Sequence, residues 1–328
     1  MDNLFVHTAQ SRPDLWKVLE DPNHPLNAAW PLFLDQDIYF QYYCSQLNKI
    51  KAFACFQYII VKVDNYGEEH IIACGRSVPF YWPELAKIGG KIALAQHPKV
   101  LHTLPDEGYD AILSRAFEQY FAREGLVQAQ ALDRPTPFND PAAARIEQPN
   151  ALSAISITVS PEYRSQGLAE ALILAMKEAA IERNFDAMVV PLRPTRKSEF
   201  PMTNMTDYVL WRATTPDPNL PFDPWLRKHV RLGAKVIKVA RGSMRVEGSV
   251  EEWQQWTGVN IPQAAQGGSL KLEAESGKAY VEVVFPRGLV PLRYYVDEQR
   301  CVYIEPNVWL HHALPSFNIP IPLDSSIV

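Results

Sequence analysis

The sequence has no apolar run approaching the roughly 20 residues that cross a bilayer. Its start, MDNLFVHTAQSRPDLW, lacks the basic stretch and apolar run of a secretory leader. Neither a membrane span nor a leader is expected, so residence in the cytoplasm follows by default. Cysteine is scarce: Cys44, Cys55, Cys74 and Cys301 are the only four, and none forms a CxxC pair. That spacing excludes a disulfide framework and a zinc ribbon, and leaves reduced, buried thiols as the expectation. His311 and His312 are adjacent and have no partner at metal-binding spacing, so no metal is expected. Positive charge is not in excess, with 32 Lys and Arg against 37 Asp and Glu, and a net charge of −5 argues against a nucleic-acid partner. GxGxxG and GxxxxGK[ST] are both missing, which excludes the common dinucleotide and P-loop fingerprints. Glycine is sparse beside proline, 15 against 27, and this implies rigid loops between short elements.

The remaining composition, 47% hydrophobic and 21% charged over 328 residues, is that of an ordinary folded chain. Two domains would fit this length, and so would one large elaborated α/β domain. No repeat, low-complexity tract or clear linker divides the chain. Residues 1–50 read as helical, because WPLFLDQDIYFQYYCSQL carries apolar residues at helical spacing. Residues 53–80 read as a hairpin, two β-rich runs around DNYGEE. Residues 81–150 are less regular and hold one helix, DAILSRAFEQYFAREG. Farther on, a short helix is expected near Asp207–Arg212. FDPWLRKHVRLGA reads as a helix with Asp223 as N-cap, Pro224 in the first turn and Gly233 at its end. KVIKVARGSMRVEG, AYVEVVFP and CVYIEPNVWL read as strands.

The most informative stretch is 151–191. Ile155, Ile157 and Val159 alternate with Ser156, Thr158 and Ser160, which predicts a strand ended by Pro161. Leu168, Ala171, Leu172, Ala175, Met176 and Ala179 then follow helical spacing, and DAMVVPL makes a second buried strand. Strand, tight turn, helix and strand imply a crossover in a partly parallel sheet. The turn reads R-x-x-G-x-A, with Arg164, Gly167 and Ala169. First-turn N–H groups lack helical partners and carry partial positive charge, so a pyrophosphate could dock there with help from Arg164. The plainer reading is that small residues only allow close packing.

In this stretch the sequence resembles the GNAT superfamily of acyl-CoA-dependent N-acyltransferases. The family's V-x-P-x-x-R-x-x-G-x-G/A pattern is filled by Val159, Pro161, Arg164, Gly167 and Ala169. A second family feature, a helix ending Y-x-x-L-G-F, is matched by Leu232 and Gly233, with His229 for Tyr and Ala234 for Phe. The resemblance implies an α/β (α+β) fold, a mixed twisted sheet flanked by helices. It implies one elaborated domain over 1–328 with its core motif at 151–240. Insertions at about 81–150 and 192–221 and a β-rich extension at 241–328 fall outside the family pattern. It also implies acetyl-CoA or another acyl-CoA as co-substrate. Backbone groups of Ile157 and Val159 would bind the pantetheine arm, and Arg164, Ser165, Gln166, Gly167, Leu168 and Ala169 the pyrophosphate. His229 would be the proton-donating catalytic residue, as an imidazolium near neutral pH. The usual strand Glu has no counterpart, and Glu147, just upstream, is a candidate in its place. In the connection after the second strand, Arg193 and Lys197, with Arg196, could recognise a carboxylate or phosphate of the acceptor, with Tyr208 in the wall. The alternative is a solvated basic loop. The function expected is acyl transfer to a small-molecule acceptor. A malonyl-CoA-type decarboxylase and a non-catalytic acyl-CoA-binding module are the other readings. C-terminal edge strands could pair two chains as a homodimer.

Overall fold

Apolar and β-branched runs set the ten strands of the sheet. They are β1 (Leu4–Thr8), β2 (Gln57–Val63), β3 (Glu69–Phe80), β4 (Ala151–Val159), β5 (Ala187–Leu192), β6 (Ala234–Ser249), β7 (Leu270–Leu272), β8 (Ala279–Val283), β9 (Leu292–Tyr295) and β10 (Arg300–His312). The computed structural model describes residues 3–21, 23–126, 134–135, 138–215, 217–274 and 276–315. The helices among them are α1 (Pro13–Val18), α2 (Lys51–Ala54), α3 (Pro83–Lys87), α4 (Gly108–Glu124), α5 (Leu168–Glu182), α6 (Met205–Tyr208), α7 (Pro224–Arg231), α8 (Val250–Thr257) and α9 (Ile261–Ala264). No helix among the described residues is long and apolar enough to cross a membrane.

Strand order runs β1-β2-β3-β4-β5-β10-β9-β8-β7, and β6 also pairs with β10. Pairing is antiparallel except between β4 and β5. β6 accompanies β10 from Arg300↔Ser249 to His312↔Ala234, so β5 and β9 share the opposite edge of β10. One apolar layer holds α4 and the aromatic N-terminal segment, including Phe33, Tyr43 and Phe117. The other holds α5 and α7, through Leu172, Met176 and Leu226. α5 lies close on β3 because position 75 is glycine: a Cβ there would stand 2.8 Å from Met176 Cε.

The hairpin β2–β3, the unit β4–α5–β5 and α7 fall where the sequence puts them. Asp223 Oδ1 accepts from the N–H groups of Trp225 and Leu226, as an N-cap does. Residues 1–50 depart from expectation. Their first element is an edge strand, paired with β2 from Leu4↔Lys62 to Thr8↔Tyr58. After α1 come only single turns at Asn27–Ala29 and Leu34–Gln36 and a π turn at Phe40–Cys44. Proline at 25 and 31 interrupts any long helix. Phe33, Tyr39 and Tyr43 are buried because the segment wraps over the sheet, so their spacing reflects tertiary burial and not one helical stripe. All four cysteines are free, three buried and Cys55 half-buried.

Candidate active site

β4 leaves β5 after three paired residues. Ala151–Ser153 match Ala187–Val189, while β4 stays on β3 as far as Val159↔Ala73. The two strands therefore splay, and one edge of β4 is open beyond Ser153. The Ser160 N–H donates to Ile72 C=O at 2.9 Å, which fixes which backbone groups face β3. By alternation, Ser156 and Thr158 share that side, and the peptide groups of Ile157 and Val159 point into the gap. These are free donors and acceptors of the kind a pantetheine amide can pair with.

Where the gap meets α5, Ser165 has φ +62° and Gly167 φ +84°. A Cβ on Gly167 would meet nothing within 4 Å, so glycine serves the left-handed backbone there and not tight packing. The space above the first turn of α5 is open, and the N–H groups of Leu168, Ala169 and Glu170 have no helical acceptor. Arg164 is exposed and has no ion pair among the described residues. The donor set fits a pyrophosphate. Gly167→Val would place a β-branched side chain at this φ, at a strain of about 1–3 kcal/mol, and would push it into the phosphate space. The expected result is at least a tenfold rise in the acyl-CoA Kd, since about 1.4 kcal/mol is a factor of ten. Calorimetric titration with unchanged Kd would remove the turn from the binding site.

A cavity of about 830 Å³ continues from the splay. Ser156 to Thr158 and Val190 to Arg193 form its two strand walls, with Trp225 and His229 of α7 beside them. Trp30 closes another side and donates its indole N–H to Thr158 Oγ1 at 3.0 Å. Asp35 and Arg76 also line it. Both are half-buried, and neither side chain has a hydrogen bond or ion pair among the described residues. Arg76 lies over the Trp16 ring at 5.6 Å. Burial raises the Asp35 carboxyl, against the opposing influence of Arg287 and Arg76.

His229 does reach this cavity, but not as an imidazolium. It is 1% exposed, and burial, then His312 and Lys228, push its pKa down to about 3. Its Nδ1 lies 2.9 Å from His312 Nε2, while its own Nε2 has no protein partner. The ring is neutral at neutral pH because a charge there would be desolvated among other positive groups.

The three expected acceptor residues separate. Arg193 lines the cavity, with its Nε donating to both oxygens of Glu305 at 2.9 and 3.0 Å. Lys197 is fully buried and donates to the carbonyls of Phe200 and Leu289 at 2.8 and 2.6 Å. Burial lowers its pKa to about 8. Tyr208 donates to Asp223 Oδ2 at 2.9 Å inside a cluster with Phe200, Trp211 and Phe222. Neither Lys197 nor Tyr208 lines the cavity; their polar atoms tie the connection to itself, to the β8–β9 loop and to the N-cap of α7. Arg196 pairs with Glu199 at the surface. Glu147 is paired with Arg145 away from the cavity, so it is no base for chemistry there. Asp35, Arg76 and His312 were missed. They come from three distant segments, and no local pattern joins them.

The description "Acetyltransferase (GNAT) family" matches residues 115–198, which include β4, the turn and α5. Arginine N-acetyltransferase avaD of Aspergillus versicolor is 36% identical over 313 residues, 94% of this chain and 93% of that protein. Among solved structures, the loading GNATL domain of CurA from Lyngbya majuscula aligns at 16% identity and a TM-score of 0.43, covering 73% of this chain and 87% of its own. A polyamine N-acetyltransferase of Drosophila melanogaster aligns at 13% identity and a TM-score of 0.38, covering 95% and 100%. The structural likenesses are distant, and the assignment rests on the sequence relative together with the filled turn motif. The chain belongs to the GNAT acetyltransferase family, enzymes that transfer an acyl group from coenzyme A to a small-molecule acceptor.

Proposed function

We propose that this enzyme acetylates an amine of a cationic amino acid, arginine in the first instance, using acetyl-CoA. The observation that carries this is the presence of Asp35 and Arg76 in one cavity, neither with a hydrogen bond or ion pair from its side chain among the described residues. An acceptor with a carboxylate and a cationic group satisfies both, and a simple amine satisfies only one. The similarity to avaD, which is named for arginine, supports the same class. In this reading the peptide groups of Ile157 and Val159 hold the pantetheine arm, and the turn Arg164–Ala169 holds the pyrophosphate. Arg76 anchors the acceptor carboxylate, Asp35 faces its cationic end, and His229 handles the proton.

The test compares arginine with agmatine, which lacks the carboxylate, in acetyl transfer. Arginine is expected to be the better substrate. Arg76→Met keeps an apolar stem and removes the guanidinium that lies over Trp16. A lost charge-assisted hydrogen bond costs about 1.5–3 kcal/mol, so KM for arginine is expected to rise by about tenfold or more. The same variant should leave agmatine turnover nearly unchanged. Equal turnover of arginine and agmatine by the unsubstituted enzyme would sink carboxylate recognition.

A further inference from the structure

At the far edge of the sheet, β1 leaves three consecutive apolar residues in water. Leu4 is 36% exposed, and Phe5 and Val6 are each 49% exposed. Phe5 stands on the face of Val61, where α1 packs, and Leu4 and Val6 on the face of Ile60, toward α5. The backbone edge is open as well. Asn3 C=O accepts from Val63 N–H at 3.0 Å, and Ala9 N–H donates to Gln57 C=O at 2.8 Å, so the odd-numbered residues of this stretch bond to β2. The N–H and C=O groups of Leu4, Val6 and Thr8 therefore point outward. Those of Thr8 are engaged: its N–H donates to Ser11 Oγ at 2.9 Å, and its C=O accepts from Arg12 N–H at 2.9 Å. Those of Leu4 and Val6 have no hydrogen-bond partner among the described residues.

The C-terminal edges, where pairing of two chains was expected, are less open. On β6 the Gly242 N–H donates to Asp106 C=O at 3.0 Å and the Arg245 N–H to Asp110 Oδ2 at 3.1 Å, so α4 and the residues leading into it cover that edge. β7 is Leu270–Leu272, with Lys271 at its centre and Glu273 beside it, charges of the kind that guard an edge. β1 has no such guard, because Asn3 to Ser11 contains no Asp, Glu, Lys or Arg. A strand carrying charge would find no counter-charge along it, whereas an identical uncharged strand matches it.

We propose that β1 is the surface on which a second copy of this chain docks, strand to strand, about a two-fold axis at Phe5. The outward groups fix the register. With Leu4 of one copy opposite Val6 of the other, every outward N–H and C=O of both residues is paired. Phe5 then faces Phe5 across the axis as a non-hydrogen-bonded pair with Cα atoms about 4.5 Å apart, the closer kind of cross-strand neighbour. Leu4 and Val6 of the two copies cover one another on the opposite face. A register that centres on Val6 would set Leu4 against Thr8, whose groups already serve Ser11 and Arg12. One strand pair covers less than the about 800 Å² per partner of a standard interface, so the dimer is a weak one with a micromolar Kd.

Sedimentation velocity of the full-length protein from about 1 μM to about 1 mM, the span of weak affinities, is expected to show monomer passing to dimer. Val6→Pro removes an outward N–H and leaves the bonds to β2 in place, and Phe5→Lys sets two like charges at the axis. Each is expected to raise the dimer Kd about tenfold or more, with a far-UV circular dichroism spectrum like the parent's. The register has its own readout, which does not depend on how either variant folds. Under mild oxidation Phe5→Cys is expected to cross-link to itself, because Cα atoms about 4.5 Å apart suit a disulfide. His7→Cys is expected not to, since the two copies of that position stand four residues, or about 14 Å, apart along the pair. The native cysteines are buried or half-buried, and the parent should stay uncrosslinked. A parent that is monomeric at every concentration overturns the proposal. So does a dimer that both Val6→Pro and Phe5→Lys keep, or one that cross-links through His7→Cys and not through Phe5→Cys.

Discussion

Truncating His229 to alanine is expected to lower kcat by about 10²–10⁴-fold, the usual contribution of one positioned acid or base, while acyl-CoA affinity holds. The site explains why the loss should fall on kcat. The candidate CoA contacts lie on β4 and the α5 turn, and His229 reaches the cavity from α7. Its pH signature follows from burial. A ring whose pKa is pushed down to about 3 is already unprotonated at every pH well above that value. Activity should therefore show no limb near the ordinary histidine value of about 6.5. The rise in kcat/KM with pH should instead follow deprotonation of the acceptor amine, which in a free amino acid lies above the value of about 8 for a chain-terminal α-amino group. Steady-state kinetics from pH 5 to 9 check both points, as an order-of-magnitude span around those values. A bell with a limb near 6.5 that vanishes in His229→Ala would mean that the ring is solvated during turnover and works as an imidazolium.

The candidate CoA-binding half of this site is legible in sequence as a local backbone motif, and the candidate acceptor half is not. The turn between β4 and α5 is local: Val159, Pro161, Arg164, Gly167 and Ala169 lie within eleven consecutive residues, and their effect is on the backbone they belong to. The cap at Asp223 is local in the same way. The candidate acceptor cavity is assembled from a single turn at Leu34–Gln36, from β3, from the end of β5 and from α7. Each segment offers one polar residue, and only the sheet order brings them together. His312 shows the difficulty in one residue. Adjacent histidines on a strand point to opposite faces, so the HH pair on β10 looks like a poor motif. The antiparallel pairing His312↔Ala234 sets one of them against the end of α7. Lys197 shows the reverse. A basic triad in a long loop suggests ligand recognition, yet the carbonyls of Phe200 in that loop and of Leu289 between β8 and β9 need donors, and the lysine serves them.

Glu305→Ala is expected to destabilise the fold by about 3–5 kcal/mol, the range for removing one partner of a buried ion pair. Glu305 has no exposed surface, and three side chains donate to its oxygens. Arg193 Nε does so at 2.9 and 3.0 Å, the Tyr303 hydroxyl at 2.8 Å and Asn307 Nδ2 at 3.1 Å. The register of β10 against β6 shifts between Glu305 and Asn307, around Pro306, which has no N–H for the ladder. Truncation leaves a guanidinium, a phenol and an amide at that bulge without their acceptor. Arg193 is also tied to the Arg287 carbonyl at 2.7 Å, so it cannot simply swing away. Urea denaturation should show the loss as a lower midpoint with unchanged slope. Glu305→Gln, which keeps an acceptor and loses the charge, should fall between. Arg193→Met combined with Glu305→Leu should recover much of the loss, because an apolar pair avoids the desolvation that the ion pair bears. If Glu305→Ala costs less than about 1 kcal/mol, the range of an exposed pair, then cavity water already solvates Arg193. In that case its guanidinium is free to meet the acceptor, and it joins Arg76 as a carboxylate anchor.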